Sequence, residues 1–493
     1  MAEHVGADNA HTRKIAQFVS TLSYERIPQE VRERIKLLML DSLGCAIHGA
    51  QLEWCRILRG ALGKVDATRT TSVWGTSLRL SSPHAALVNG TQVQGFELDD
   101  VHRRGVLHVG AGTLPALAAV AERHCALDGR EFLTAAVAGY EIGPRVGLCM
   151  GQEHIGQGWH SGATVGVYSA AAAAARGLRL SPQHTVHALG ISGTQAAGLM
   201  AAQYGAMVKR MHAGRAAQSG LYGALLASDG FTGITDVFEA PYGGFCTTFS
   251  RSQDRFTLAE LSAGLGERFE TLNVSLKFYS CVGSNHTTLD AIRDIRRRRP
   301  FALDELDAIV VHASQVTVDH VGWPYRPQGL TSAQLNLPFC VATLLIEGDV
   351  FVDQFKPQAV EDRARIELSR KVSIVHDPAI TALGSAFRHK VRVEVRLRDG
   401  TIESETREAP RGSEQSFAAA DDIVAKFCKL TCAAMTKEHQ AALVDAVLNL
   451  EKLADGKELI RLLRAITRTD GGSDGARTRD LRRDRPHQIQ RNQ

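Results

Sequence analysis

Aromatic residues are scarce in this 493-residue chain, where Phe, Tyr and Trp together make up 6%. Packed sheets lean on aromatic and β-branched side chains, so the scarcity counts against a β-sandwich or barrel. Long apolar runs are missing too. No stretch approaches the ~18–20 apolar residues that a helix needs to cross a bilayer, and the opening MAEHVGADNAHTRK lacks the apolar segment of a secretory signal. Nor does one sign of charge dominate: 57 Lys and Arg stand against 53 Asp and Glu, a net charge of +4. That surplus is too small to argue for nucleic acid or an anionic membrane as partner. The expectation is a cytoplasmic globular protein.

Other absences narrow the chemistry. The nine cysteines are scattered and mostly sit in apolar stretches, as reduced core thiols do. Cys428 and Cys432 lie one helical turn apart, but no third or fourth ligand follows at zinc or iron–sulfur spacing, so no metal is expected. No Gly-rich phosphate loop, G-x-S-x-G nucleophile elbow or H-E-x-x-H helix occurs. Nucleotide cofactors, serine hydrolysis and zinc proteolysis are therefore unsupported, and no cofactor is expected.

What is present is small side chains and helical periodicity. Apolar residues recur at helical spacing from Pro28 to Ile47, and further helices are predicted from Ser82 to about Phe96, Thr113 to Ala126, Arg130 to Met150 and Ala163 to Arg176. Ser181-Pro182 marks the start of another. The alanine run 170–175 has high helix propensity and little bulk, so its helix must be closely approached on all sides. From 266 to 408 the texture changes. Ala308–Val316 and Val372–Val375 have strand character, and Val391–Arg407 reads as a hairpin turning at Asp399-Gly400. Helices around His286–Arg298 and Leu337–Ile346 complete an α+β unit. Helical spacing resumes from 418 to 466. The expected architecture is mainly α: a large all-helical domain built from residues 1–265 and 409–467, with a smaller α+β domain (266–408) inserted. The polar stretch 468–493 holds almost no apolar residue and is expected to be disordered.

Three polar clusters interrupt the apolar helices. Residues 95–108 hold Glu97, Asp99, Asp100, His102, Arg103, Arg104 and His108, followed by the flexible run Gly110-Ala111-Gly112 and a buried helix whose N-terminus favours an anion. Residues 156–163 set His160 among glycines beside Trp159. Residues 203–215 hold Lys209, Arg210, His212 and Arg215 in a Gly/Ala/Met setting. A charged helix end, a core histidine and a basic surface loop would account for them separately. Together they supply bases and cations suited to proton transfer beside carboxylates.

The order of GFELDDVHRRGVLHVGAGTLPALAAVAE, GYEIGPRVG, GWHSGATVGVYSAAAAAARGLRL, YGAMVKRMHAGRAAQSGLYGALLA and KFYSCVGSNHTTLDAI resembles the MmgE/PrpD family over about residues 10–465. That family includes 2-methylcitrate dehydratase, cis-aconitate decarboxylase and iminodisuccinate epimerase. The resemblance implies a helical domain from both chain ends plus an α+β domain, a homodimer, and a site between the domains without metal or cofactor. It further implies Asp99 or Asp100, His108, His160 and Lys209 as catalytic residues, with His286 a matched histidine of the small domain. Arg103, Arg210, His212 and His286 are the candidates for holding substrate. The chain departs from the usual pattern at Val101-His102, at His108-Val109-Gly110 and at Phe339, where the decarboxylase carries tyrosine. The expected activity is dehydration of a small di- or tricarboxylic hydroxy acid such as 2-methylcitrate. Alternatives are an epimerase of a substituted succinate, a decarboxylase of a cis-aconitate-like acid, and a silent carboxylate-binding relative.

Overall fold

Small side chains set the packing in the computed structural model, which describes residues 10–151, 153–204, 206–384 and 387–464. Among the helices of the larger core, α1 (Gln29–Gly49), α2 (Ser82–Val93), α3 (Val109–Ala119), α4 (Gly129–Met150), α5 (Gly166–Gly177) and α6 (Val208–Ser228) surround the polar clusters. All six alanines of the 170–175 run are buried. Helix α6 runs between α2 and α5 at backbone contact. A Cβ on Gly220 would stand 2.4 Å from that of Ala170, and one on Gly214 would stand 2.1 Å from the Leu87 carbonyl oxygen. Larger residues at either position would push the helices apart.

The larger apolar core joins both ends of the chain. Ile15, Val31, Ile35 and Leu38 pack in one cluster with Ile423, Phe427, Leu443 and Val447. A second core gathers Leu289, Ile292 and Ile295 from α7 (Gly283–Arg298) and alternate residues of a four-stranded sheet. Its strands are β1 (Leu306–Ala313), β2 (Val372–His376), β3 (Val391–Leu397) and β4 (Ile402–Arg407), in the order β2-β1-β3-β4. Only β1–β2 is parallel among these pairs. Val391, Val393 and Val395 point inward while the residues between them are more exposed, the alternation that the sequence pattern predicts. The hairpin turns at Gly400, whose φ of +87° only glycine adopts without strain. Helices α8 (Leu330–Leu335) and α9 (Leu337–Glu347) complete the small unit, and α10 (Ala420–Thr431) returns to the larger core. The chain is mainly helical, with small sheets.

One expectation needs adjusting. Helix α3 starts at Val109, not Thr113, so Gly110-Ala111-Gly112 is no flexible run but the first turn of a buried helix. Glycine is needed there because a Cβ on Gly110 would stand 2.2 Å from Ser42 Oγ and 2.6 Å from the Tyr140 hydroxyl. The stretch 468–493, expected to be disordered, lies outside the described residues.

Candidate active site

The acidic segment leaves α2 and crosses from one core to the other. Phe96 belongs to the small core, and Glu97 adopts a left-handed φ of +57°, a costly conformation for a residue with a Cβ. Three contacts hold the segment in place. Val101 and His102 pair antiparallel with Ser275 and Val274. Lys426, on α10, donates from Nζ to the Leu98 carbonyl at 2.7 Å and forms a buried ion pair with Asp41 at 2.5 Å. His102 Nε2 lies 3.1 Å from a Glu270 carboxylate that, although buried, is held down to about 2 by His102, Asn273 and Arg268.

The strain at Glu97 places its carboxylate among three cations. It pairs with Lys209 Nζ, with Arg210 Nη1 at 2.6 Å and with Lys277 Nζ at 3.2 Å. Burial opposes ionisation, yet Lys209, Lys277, Arg210 and His108 together hold the carboxyl well below its usual range. Burial, with Arg210 and Lys277 nearby, lowers the Lys209 pKa in turn, against the pull of Glu97. One anion for three cations leaves an uncompensated positive charge in a water-poor place, where it costs most.

Two further pairs stand beside this cluster. His108, the residue before α3, has Nδ1 3.0 Å from Asp99 Oδ2; Asp99 is fully buried and its Oδ1 has no partner. His160 Nδ1 lies 3.1 Å from His212 Nδ1, a contact that needs one donor and one acceptor, so the two rings share a single proton there. Burial first, then Lys209, His212 and His108, pushes His160 well below the usual imidazole range, and it is neutral at pH 7. Gly162 is required beside it, since a Cβ would stand 2.9 Å from His160 Cε1. Lys209 and His108 side chains remain 14% and 13% exposed, so the cluster is open to a ligand from their side.

Several expected residues sit elsewhere or do something else. Asp100 turns away from the imidazoles; its carboxylate accepts from Gly110 N–H at 3.0 Å and Tyr140 O–H at 2.6 Å and so holds the segment against α3 and α4. Burial raises its pKa to about 7, with Asp99 and Asp41 adding to the shift. Arg103 is spent on Glu414 (Nε–H to Oε2, 3.0 Å) and His389 (Nη1 to Nδ1, 3.1 Å) rather than left for substrate. His286 donates from Nε2 to the Cys281 carbonyl at 3.1 Å and packs edge-on against Tyr279. His212 serves His160, and Arg210 is fixed by Glu97 and Gln334 (Nη2–H to Oε1, 3.2 Å). Phe339 is fully buried and stacks on Tyr325 and Phe355 inside the small core.

Sequence reasoning missed Glu97, Lys277 and Gln334. Glu97 stood in the first cluster but nothing in its spacing singled it out. Lys277 looked like any other lysine. Gln334 joins the cores by donating to the Phe96 and Ser280 carbonyls at 3.3 and 2.9 Å while accepting from Arg210 of α6, a role no local pattern signals.

A model of the MmgE/PrpD N-terminal domain matches residues 13–257, and one of the MmgE/PrpD C-terminal domain matches residues 279–452. The chain belongs to the MmgE/PrpD family. It is 36% identical to a cis-aconitate decarboxylase-like protein of Aspergillus oryzae over 92% of its own length and 97% of that protein. It is 32% identical to the cis-aconitate decarboxylase of Aspergillus terreus, covering 93% and 96% of the two chains. For the human cis-aconitate decarboxylase the identity is 26%, over 92% and 94%. Cis-aconitate decarboxylases are lyases, and the likeness to them supports an enzyme of the lyase class; the hydro-lyase type is not confirmed. No described helix is long and apolar enough to cross a membrane.

Proposed function

We propose that the protein is a decarboxylase of a cis-aconitate-like unsaturated tricarboxylate, working by acid–base chemistry of its own side chains. The observation that carries this reading is the single buried carboxylate, Glu97, shared by Lys209, Arg210 and Lys277. A site with such a positive surplus is completed by a polyanion. In the reaction the bond from a methylene carbon to its carboxylate breaks and CO2 leaves. The electron pair shifts through the adjacent double bond, and the far carbon of the allyl unit takes a proton. Lys209 and Lys277 hold the carboxylates that remain and stabilise the charge that develops. His160, neutral in the free protein, regains a proton when the polyanion enters and delivers it to carbon, with His212 fixing its tautomer. His108, oriented by Asp99, is the second acid–base group.

The test is incubation with cis-aconitate in D2O, following CO2 and the deuterium content of the product. Release of CO2 with one carbon-bound deuteron is expected. Loss of water from 2-methylcitrate, with no CO2 from cis-aconitate, would return the assignment to a dehydratase.

A further inference from the structure

Beside the charge cluster the fold leaves a cavity of about 450 Å³. Gln203 lines it from the larger core; Asp319, His320, Trp323, Thr331 and Ser332 line it from the smaller. His320 joins this space to the cluster: its ring lies within the fields of Lys209 and Glu97, and its Nδ1 is 3.1 Å from Ser284 Oγ. Burial, together with Arg388 and Lys209, lowers its pKa, so it is neutral at pH 7. Among the described residues no lysine or arginine lines the cavity, and Asp319 would repel a further carboxylate. The remaining lining consists of amides, hydroxyls and apolar surface, which suit an uncharged group. Pockets for drug-sized ligands run from about 300 to 1,000 Å³, so the volume accommodates a substituent in addition to a small polycarboxylate held at the cluster.

We infer that the substrate is a tricarboxylate of the cis-aconitate type bearing an uncharged, largely apolar substituent, which lies between Gln203, Trp323 and Ser332 while its carboxylates face Lys209 and Lys277. The carboxylate half of this inference rests on the proposed function; the substituent half rests on the cavity. A second cavity of about 590 Å³, lined by Trp54, Phe96, Leu330 and Phe355, opens on the other side of α8. Its lining includes the acids Glu53, Asp353 and Glu361, of which Asp353 is paired to Lys356 at 3.1 Å. Phe96 stands between it and Glu97. It serves as the control.

Calorimetric binding of propane-1,2,3-tricarboxylate and its 1-methyl, 1-butyl and 1-hexyl homologues to the full chain decides the matter. Affinity is expected to rise by up to about fourfold per buried methylene. Ser332→Trp, and separately Gln203→Trp from the opposite wall, should abolish that rise and leave the unsubstituted acid bound as before. Leu330→Trp, which fills the second cavity, should leave the rise intact. Flat or falling affinity with chain length in the unaltered protein overturns the inference, as does loss of the rise in Leu330→Trp alone. These saturated acids bind without reacting, so the answer is independent of catalysis. CO2 release from the alkylated cis-aconitates then tests the decarboxylase reading by itself.

Discussion

At the scale of single residues, charge balance governs the site. Glu97 is the one carboxylate among three cations, and removing one partner of a buried ion pair costs about 3–5 kcal/mol. Glu97→Gln is therefore expected to lower stability by that order in urea unfolding, and added polycarboxylate should restore part of the loss by supplying the missing anion. His160 leads to a second prediction. It is neutral when the site is empty, and a polyanion beside it favours the charged ring. Binding of tricarboxylate at pH 7 should then take up protons, read as a dependence of the calorimetric enthalpy on buffer ionisation. His160→Asn should reduce the uptake. Lys209→Ala should damage KM and kcat together, whereas His160→Asn should lower kcat more than it raises KM. The opposite pattern would exchange the roles of anchor and proton donor.

At the scale of elements, the start of α3 carries a titrating support. Asp100 has a folded pKa near 7, raised mainly by burial, against the ordinary carboxylate range in the unfolded chain. The folded protein thus binds the extra proton between about pH 4 and 7, and stability from this group is full at the acid end and lost as pH rises through 7. Asp100→Asn keeps an acceptor for Gly110 N–H and removes the titration, so its stability should decline less between pH 5 and 7.5 than that of the unaltered protein. Glu270, held down to about 2 by His102, Asn273 and Arg268, acts in the opposite sense. Its contribution is present above the ordinary range and lost as pH falls toward 2, so the two effects separate by pH window. This comparison also shows what was legible locally. The hairpin at Asp399-Gly400 and the buried alanine helix followed from propensity and spacing. The true start of α3 did not, because Gly110 looks flexible until α1 and α4 press against it, and Gly112 until α5 does.

At the scale of the whole molecule, the site exists because two cores meet across it. Gln334 fastens them by donating to Phe96 and Ser280 carbonyls while accepting from Arg210. Gln334→Leu should leave Arg210 short of a partner, weaken polycarboxylate binding and lower the thermal midpoint. We also propose that the protein is a homodimer. Val208, Tyr222 and Leu226 lie exposed along α6, with Phe231 and Ile234 just beyond it. Large apolar side chains left exposed in this number along one segment suit an interface. Light scattering should return twice the 53.4 kDa chain mass, and Leu226→Asp should shift the protein toward the monomer.

The amino-acid sequence by itself determined the helical character, the strand-rich interruption, the family and the pool of ionisable residues, because each of these is written in local spacing or in long ordered motifs. It also placed His108, His160 and Lys209 among the candidates. Which of the clustered groups act together was decided only by tertiary structure. Asp99 and Asp100 are neighbours in the chain, yet one meets His108 and the other is enclosed by Tyr140 and Gly110. Arg103 and Arg210 carry the same charge, yet one is spent on Glu414 and the other is drawn onto Glu97. Glu97, Lys277 and Gln334 come from segments up to 237 positions apart, and no period or spacing links them. Electrostatic partnership depends on distance in space and on how little water remains between the groups, and both are set by the packing of the two cores rather than by the order of residues along the chain.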